Sequence, residues 1–119
     1  MKTVTVISRA GFWLAIILVG IVSLVPASQI VDTGMWDKAG HAAAYGLLST
    51  LGLSAYPSQP ARFKTMAGLF AYGMAVEFLQ SYVPGRMSSV GDIAANLVGI
   101  LCGFLLIHSF QIMRSRRVH

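Results

Sequence analysis

The side chains that could do chemistry are few in this sequence, and their spacing gathers them. Asp37, His41 and Tyr45 stand at i, i+4 and i+8, which on a helix is one face. Lys38 and His41 are i, i+3 neighbours, and Glu77 and Gln80 repeat that spacing. Arg86 follows in a short connection. Asp92 and Asn96 are i, i+4, and Gly99 and Gly103 continue their stripe. Glu77 with His41 is a carboxylate–imidazole combination suited to acid–base work. Arg86 offers a planar fork for phosphate or carboxylate, Lys38 a point charge, and Asn96 a donor toward developing negative charge. Asp37, His41, Glu77 and Asp92 together would suit a divalent cation. No nucleophile elbow, His-Glu-x-x-His or Walker motif is present.

Plainer roles compete for most of these residues. Asp37 and Ser89 can cap the helices they precede, and Ser89-x-x-Asp92 fits a capping box. Lys38 can snorkel to a headgroup layer, and Tyr45 and Tyr82 can serve as interface or core aromatics. Gly99 and Gly103, like the Ala and Gly residues around Ala42, suit close helix packing. Cys102 reads as a small buried hydrophobe and His108 as an interfacial residue. Glu77 resists such a reading, because an ionisable group within an apolar run is costly and is by default a functional hypothesis. Its expected partners are His41, Arg86 and Lys38.

The elements that must position these residues follow from composition. Of 119 residues, 55% are hydrophobic and 11% charged. A soluble domain carries roughly a quarter charged residues. The chain is therefore read as an all-α membrane protein, a single domain of four transmembrane helices at about 10–30, 38–56, 63–82 and 92–110. A spanning helix needs about 20 mostly apolar residues, and lipid forbids open sheet edges. Lys2, Arg9, Arg62, Lys64, Arg114, Arg116 and Arg117, seven of the nine Lys and Arg residues, fall on one side, which predicts that both termini are cytoplasmic. Asp32, Asp37, Glu77 and Asp92 then lie toward the outer side. A competing reading of the first run is a signal peptide, since Lys2 and Arg9 precede the apolar core and Val25-Pro26-Ala27 loosely resembles a cleavage site. The lone Cys102 excludes an intrachain disulfide. The net charge of +5 sits in short clusters between apolar runs, which suits a membrane protein better than a nucleic-acid binder.

Taken in order, Asp37-Lys38-x-x-His41-x-x-x-Tyr45, Glu77-x-x-Gln80, Pro84-Gly85-Arg86 and Asp92-x-x-x-Asn96-x-x-Gly99 resemble the VanZ-like family, over about Asp37 to Gly103. That resemblance implies a bacterial integral membrane protein of the inner (cytoplasmic) membrane. It supplies site positions and a context, resistance to the glycopeptide teicoplanin, but no activity.

The expected function is recognition of an anionic lipid or cell-wall lipid-precursor headgroup at the outer face. The ligand-binding residues would be Asp37, Lys38, His41, Tyr45, Glu77, Gln80, Arg86, Asp92 and Asn96. Expected partners are membrane lipids, with a cell-wall lipid precursor or lipoglycopeptide beside them. No nucleic acid, cofactor or metal is expected. One objection is arithmetic: Asp37, Glu77 and Asp92 outnumber Lys38 and Arg86, so an anion is welcome only where carboxylates are protonated or already paired. The alternative is an enzyme acting on such a lipid, with Glu77 and His41 as catalytic candidates or with metal assistance. A small transporter is a third reading, disfavoured because no charged residue occurs in the first span.

Overall fold

The computed structural model places four helices in succession: α1 (Lys2–Leu24), α2 (Met35–Ala55), α3 (Gln59–Gln80) and α4 (Val90–Arg117). It describes residues 2–25, 35–85 and 89–118, but not the side chains at positions 2, 4 and 35–37. No strand occurs among the described residues.

Local signals explain the boundaries. Ser58 caps α3 by accepting from Ala61 N at 3.4 Å, with Pro60 in the first turn, where a missing N–H costs nothing. Ser89 caps α4 by accepting from Asp92 N at 3.2 Å, as the Ser89-x-x-Asp92 pattern predicts. Between α3 and α4, Gly85 turns the chain at φ 77°, a conformation that side chains with a Cβ resist. The helix bounds differ from the expected spans at three places. Helix α2 begins at Met35, so Asp37 lies inside the first turn and is not its cap. Helix α1 begins at Lys2 and ends at Leu24; the remainder of the expected first span, including Pro26 and Ala27, falls outside the described residues. Helix α4 continues beyond Phe110 to Arg117, because residues 104–117 contain neither Gly nor Pro and the terminal arginines suit the negative end of the helix dipole.

By length and apolar composition, α1 and α4 can each cross a membrane. Helices α2 and α3 have 21 and 22 residues and carry most of the polar cluster. Large apolar side chains on α1 and α4, such as Leu14, Ile17, Leu105 and Leu106, are exposed, as a lipid-facing surface requires. Successive helices run in opposite directions, so the N-terminal ends of α2 and α4 and the C-terminal ends of α1 and α3 share one end of the bundle.

The most extensive pairing is that of parallel α2 and α4. A Cβ on Gly99 would collide with the Ala42 carbonyl oxygen, and one on Gly103 would lie 2.6 Å from Ser49 Cβ and 2.8 Å from Gly46 O. Small residues thus let two backbones touch. Ser49, fully buried, donates its hydroxyl to Ile100 O at 2.9 Å across this seam. With the glycines facing α2, Cys102 is turned outward and is exposed rather than buried. Phe12, Tyr45, Leu48, Leu69 and Ile100 form the apolar core. Helix α1 is tied on by two further bonds, Tyr72 Oη to Ile16 O at 2.6 Å and Gln80 Nε2 to Ser23 O at 2.8 Å.

At the opposite end, Arg9 lies over the Tyr56 ring at 4.7 Å and donates to Ala55 O at 3.2 Å. Arg62, counted among the topology-setting charges, is buried with its guanidinium 5.4 Å from the centre of the Phe104 ring.

Candidate functional site

Three helices bring their polar residues to the shared end. Lys38, in the second turn of α2, reaches across Gly91 to Asp92 Oδ1 at 3.2 Å. The Asp92 side chain is buried while Lys38 keeps half its side chain exposed. One turn further along α2, His41 Nδ1 lies 3.0 Å from Asn96 Oδ1 and 3.6 Å from Glu77 Oε1. Asn96 Oδ1 only accepts, so a hydrogen on Nδ1 completes that bond. Glu77, Asp92 and Asn96 are each at least 97% buried. A buried carboxylate needs a compensating partner, and here each has a basic side chain from α2.

The ligating atoms of His41, Glu77 and Asp92 lie within 4.8 Å of one another, each supplied by a different helix. Next to this group two further polar groups converge. Tyr45 Oη and Asn96 Nδ2 are buried with no hydrogen-bond partner among the described residues. Both side chains press on the same point of α3: a methyl on Gly73 would lie 3.0 Å from Asn96 Nδ2 and 3.1 Å from Tyr45 Cε1. Gly73 is one turn before Glu77, so its missing side chain opens the space these groups occupy.

A groove of about 350 Å³ opens between α3 and α4 at this end. Met74, Phe78, Val90 and Ile93 give it apolar walls, and Glu77, Ser81 and Ser89 supply the polar atoms. Small-molecule sites have this character, mostly apolar with a few placed polar groups.

Of the nine residues singled out in the sequence, Lys38, His41, Tyr45, Glu77, Asp92 and Asn96 come together. Gln80 is instead engaged by the α1 backbone through Ser23 O. The Asp37 side chain and Arg86 lie outside the described residues. Ser81 and the apolar groove walls were not foreseen, since nothing in one helix's sequence marks which face borders a gap with its neighbour. Ser49 was missed as well, although a Ser within an apolar stretch on the face of Tyr45 is a signal that could have found it.

The sequence profile of the VanZ/LLP1 family matches residues 6–113. The chain belongs to the VanZ/LLP1 family. The VanZ/LLP1 match extends beyond the motif-bearing stretch from Asp37 to Gly103 and takes in most of α1 and α4, so the first helix is part of the family's domain. No curated protein and no solved structure gives a significant match.

Proposed function

We propose that this VanZ/LLP1 protein is an inner-membrane protein that recognises the headgroup of an anionic lipid or lipid-linked cell-wall precursor, with its four helices all spanning the bilayer and both termini in the cytoplasm. The observation that carries the reading is the α3/α4 groove, apolar along its walls and polar where Glu77, Ser81 and Ser89 meet. An amphipathic ligand presents the complementary pattern. The charge objection weakens at Asp92, which is already matched by Lys38. The N-termini of α2 and α4 add their partial positive charge at the same end. Arg86, in the connection leading into α4, would add the fork for phosphate or carboxylate. Binding a cell-wall lipid precursor in this way would connect the protein to glycopeptide tolerance.

The protein purified in mild detergent should retain anionic lipid in preference to phosphatidylcholine in a native mass spectrum. Filling the groove with Ile93→Trp should abolish that preference. Equal retention of both lipids, or retention unaffected by Ile93→Trp, would refute the groove as the binding site.

A second reading has its own support. His41 and Glu77 are close enough to exchange a proton through a short shift of either side chain, which is the arrangement an acid–base enzyme acting on the same lipid would use. Turnover of a lipid phosphate by the reconstituted protein, lost in Glu77→Gln, would favour it.

A further inference from the structure

We propose that His41, Glu77 and Asp92 form a binding site for one first-row divalent cation. The site does not depend on the headgroup reading. Its ligating atoms come from α2, α3 and α4 and already lie within 4.8 Å of one another. Opposite ligands around an ion with bonds of about 2.1 Å are about 4.2 Å apart, so only small side-chain shifts are needed. One imidazole nitrogen with carboxylate oxygens suits Zn²⁺ or Mn²⁺ better than Ca²⁺.

Burial separates this cluster from a solvated acidic patch. Glu77 and Asp92 are each 3% exposed, and the helices that carry them approach closely where Gly73 of α3 faces Asn96 of α4. Lys38 Nζ pairs with Asp92 Oδ1 at 3.2 Å while half its side chain is exposed. Lys38 therefore stands where a metal ion would compete with it, and its exposed stem allows it to leave.

Independent support comes from the neighbouring orphaned groups. Asn96 Nδ2 and Tyr45 Oη are at least 98% buried and lack partners among the described residues. They flank the ligand set at Gly73 and suit an oxygen of a water or anion bound to the ion. On binding, His41 gives the Nδ1 lone pair to the metal and keeps one ring proton on Nε2, any second ring proton passing to water; Asn96 Oδ1, 3.0 Å away, changes from hydrogen-bond acceptor to a fourth ligand, the third oxygen of the set. The ion would add two positive charges to the cluster. It would then bridge the protein to the phosphate of a headgroup, a step that does rest on the proposed function.

The full chain in detergent micelles, stripped with chelator and titrated with Zn²⁺ and separately with Mn²⁺, should bind one ion per chain of at least one of the two. His41→Ala, Glu77→Gln and Asp92→Asn should each weaken binding by more than about tenfold. Lys38→Met should strengthen it several-fold, an outcome that misfolding cannot mimic. No stoichiometric binding by wild type and by Lys38→Met, or binding indifferent to all three ligand substitutions, would overturn the site. A parallel native mass spectrum, with and without the ion, separates the two ideas. Anionic-lipid retention that is independent of the ion would overturn the bridging while leaving the metal site intact. Failure to retain lipid in either condition would count against the headgroup reading alone.

Discussion

His41 Nδ1 and Glu77 Oε1 stand 3.6 Å apart between α2 and α3, and Asn96 of α4 holds the same imidazole nitrogen at 3.0 Å. One histidine thus joins three helices. His41→Ala and Glu77→Gln should therefore be non-additive in thermal unfolding in detergent, with a coupling on the order of 1 kcal/mol. Simple additivity of the two would mean that the proximity carries no energy.

The same pair should matter to function. At normal membrane abundance, His41→Ala and Glu77→Gln should both lose any glycopeptide tolerance that overexpression confers, and Arg86→Lys should lose it too. Lysine keeps the charge of Arg86 but not its bidentate fork. Full tolerance in all three variants would leave the cluster with a structural role only.

The α2/α4 seam supplies a contrast between neighbouring residues of one helix. Gly99→Leu should destabilise the protein by about 3 kcal/mol or prevent its accumulation, because the new side chain meets the Ala42 backbone, not a movable group. Cys102→Leu, three residues on and exposed, should change stability by less than about 0.5 kcal/mol. Melting of both variants in the same detergent checks the pair, and equal effects would contradict the helix rotation described.

Topology is tested by reporter fusions. Fusions at Ser58 and His119 should be active in the cytoplasm, and a fusion at Ser88 should be active only outside it, since seven of nine Lys and Arg residues lie on the inner side in this arrangement. A periplasmic C-terminus would refute both the topology and an outer-facing site.

The sequence by itself determined what depends on neighbours along the chain. Helical character, the Ser89 cap over Asp92, the small-residue stripe of Gly99 and Gly103, and the family motif are all set by local spacing. It also narrowed the partners of Glu77 to three basic residues, of which the structure brings His41 to 3.6 Å. Tertiary structure alone decided the pairings across helices: Lys38 with Asp92, Gln80 with the Ser23 carbonyl, Ser49 with the Ile100 carbonyl. It also decided that Cys102 faces outward and that Arg62 is buried against Phe104. The physical reason is rotation. A helix's residue order fixes which side chains share a face, but the angle at which that face meets its neighbour is set by how closely the backbones approach. Here the glycines of α4 against α2, and Gly73 of α3 against Tyr45 and Asn96, set that approach.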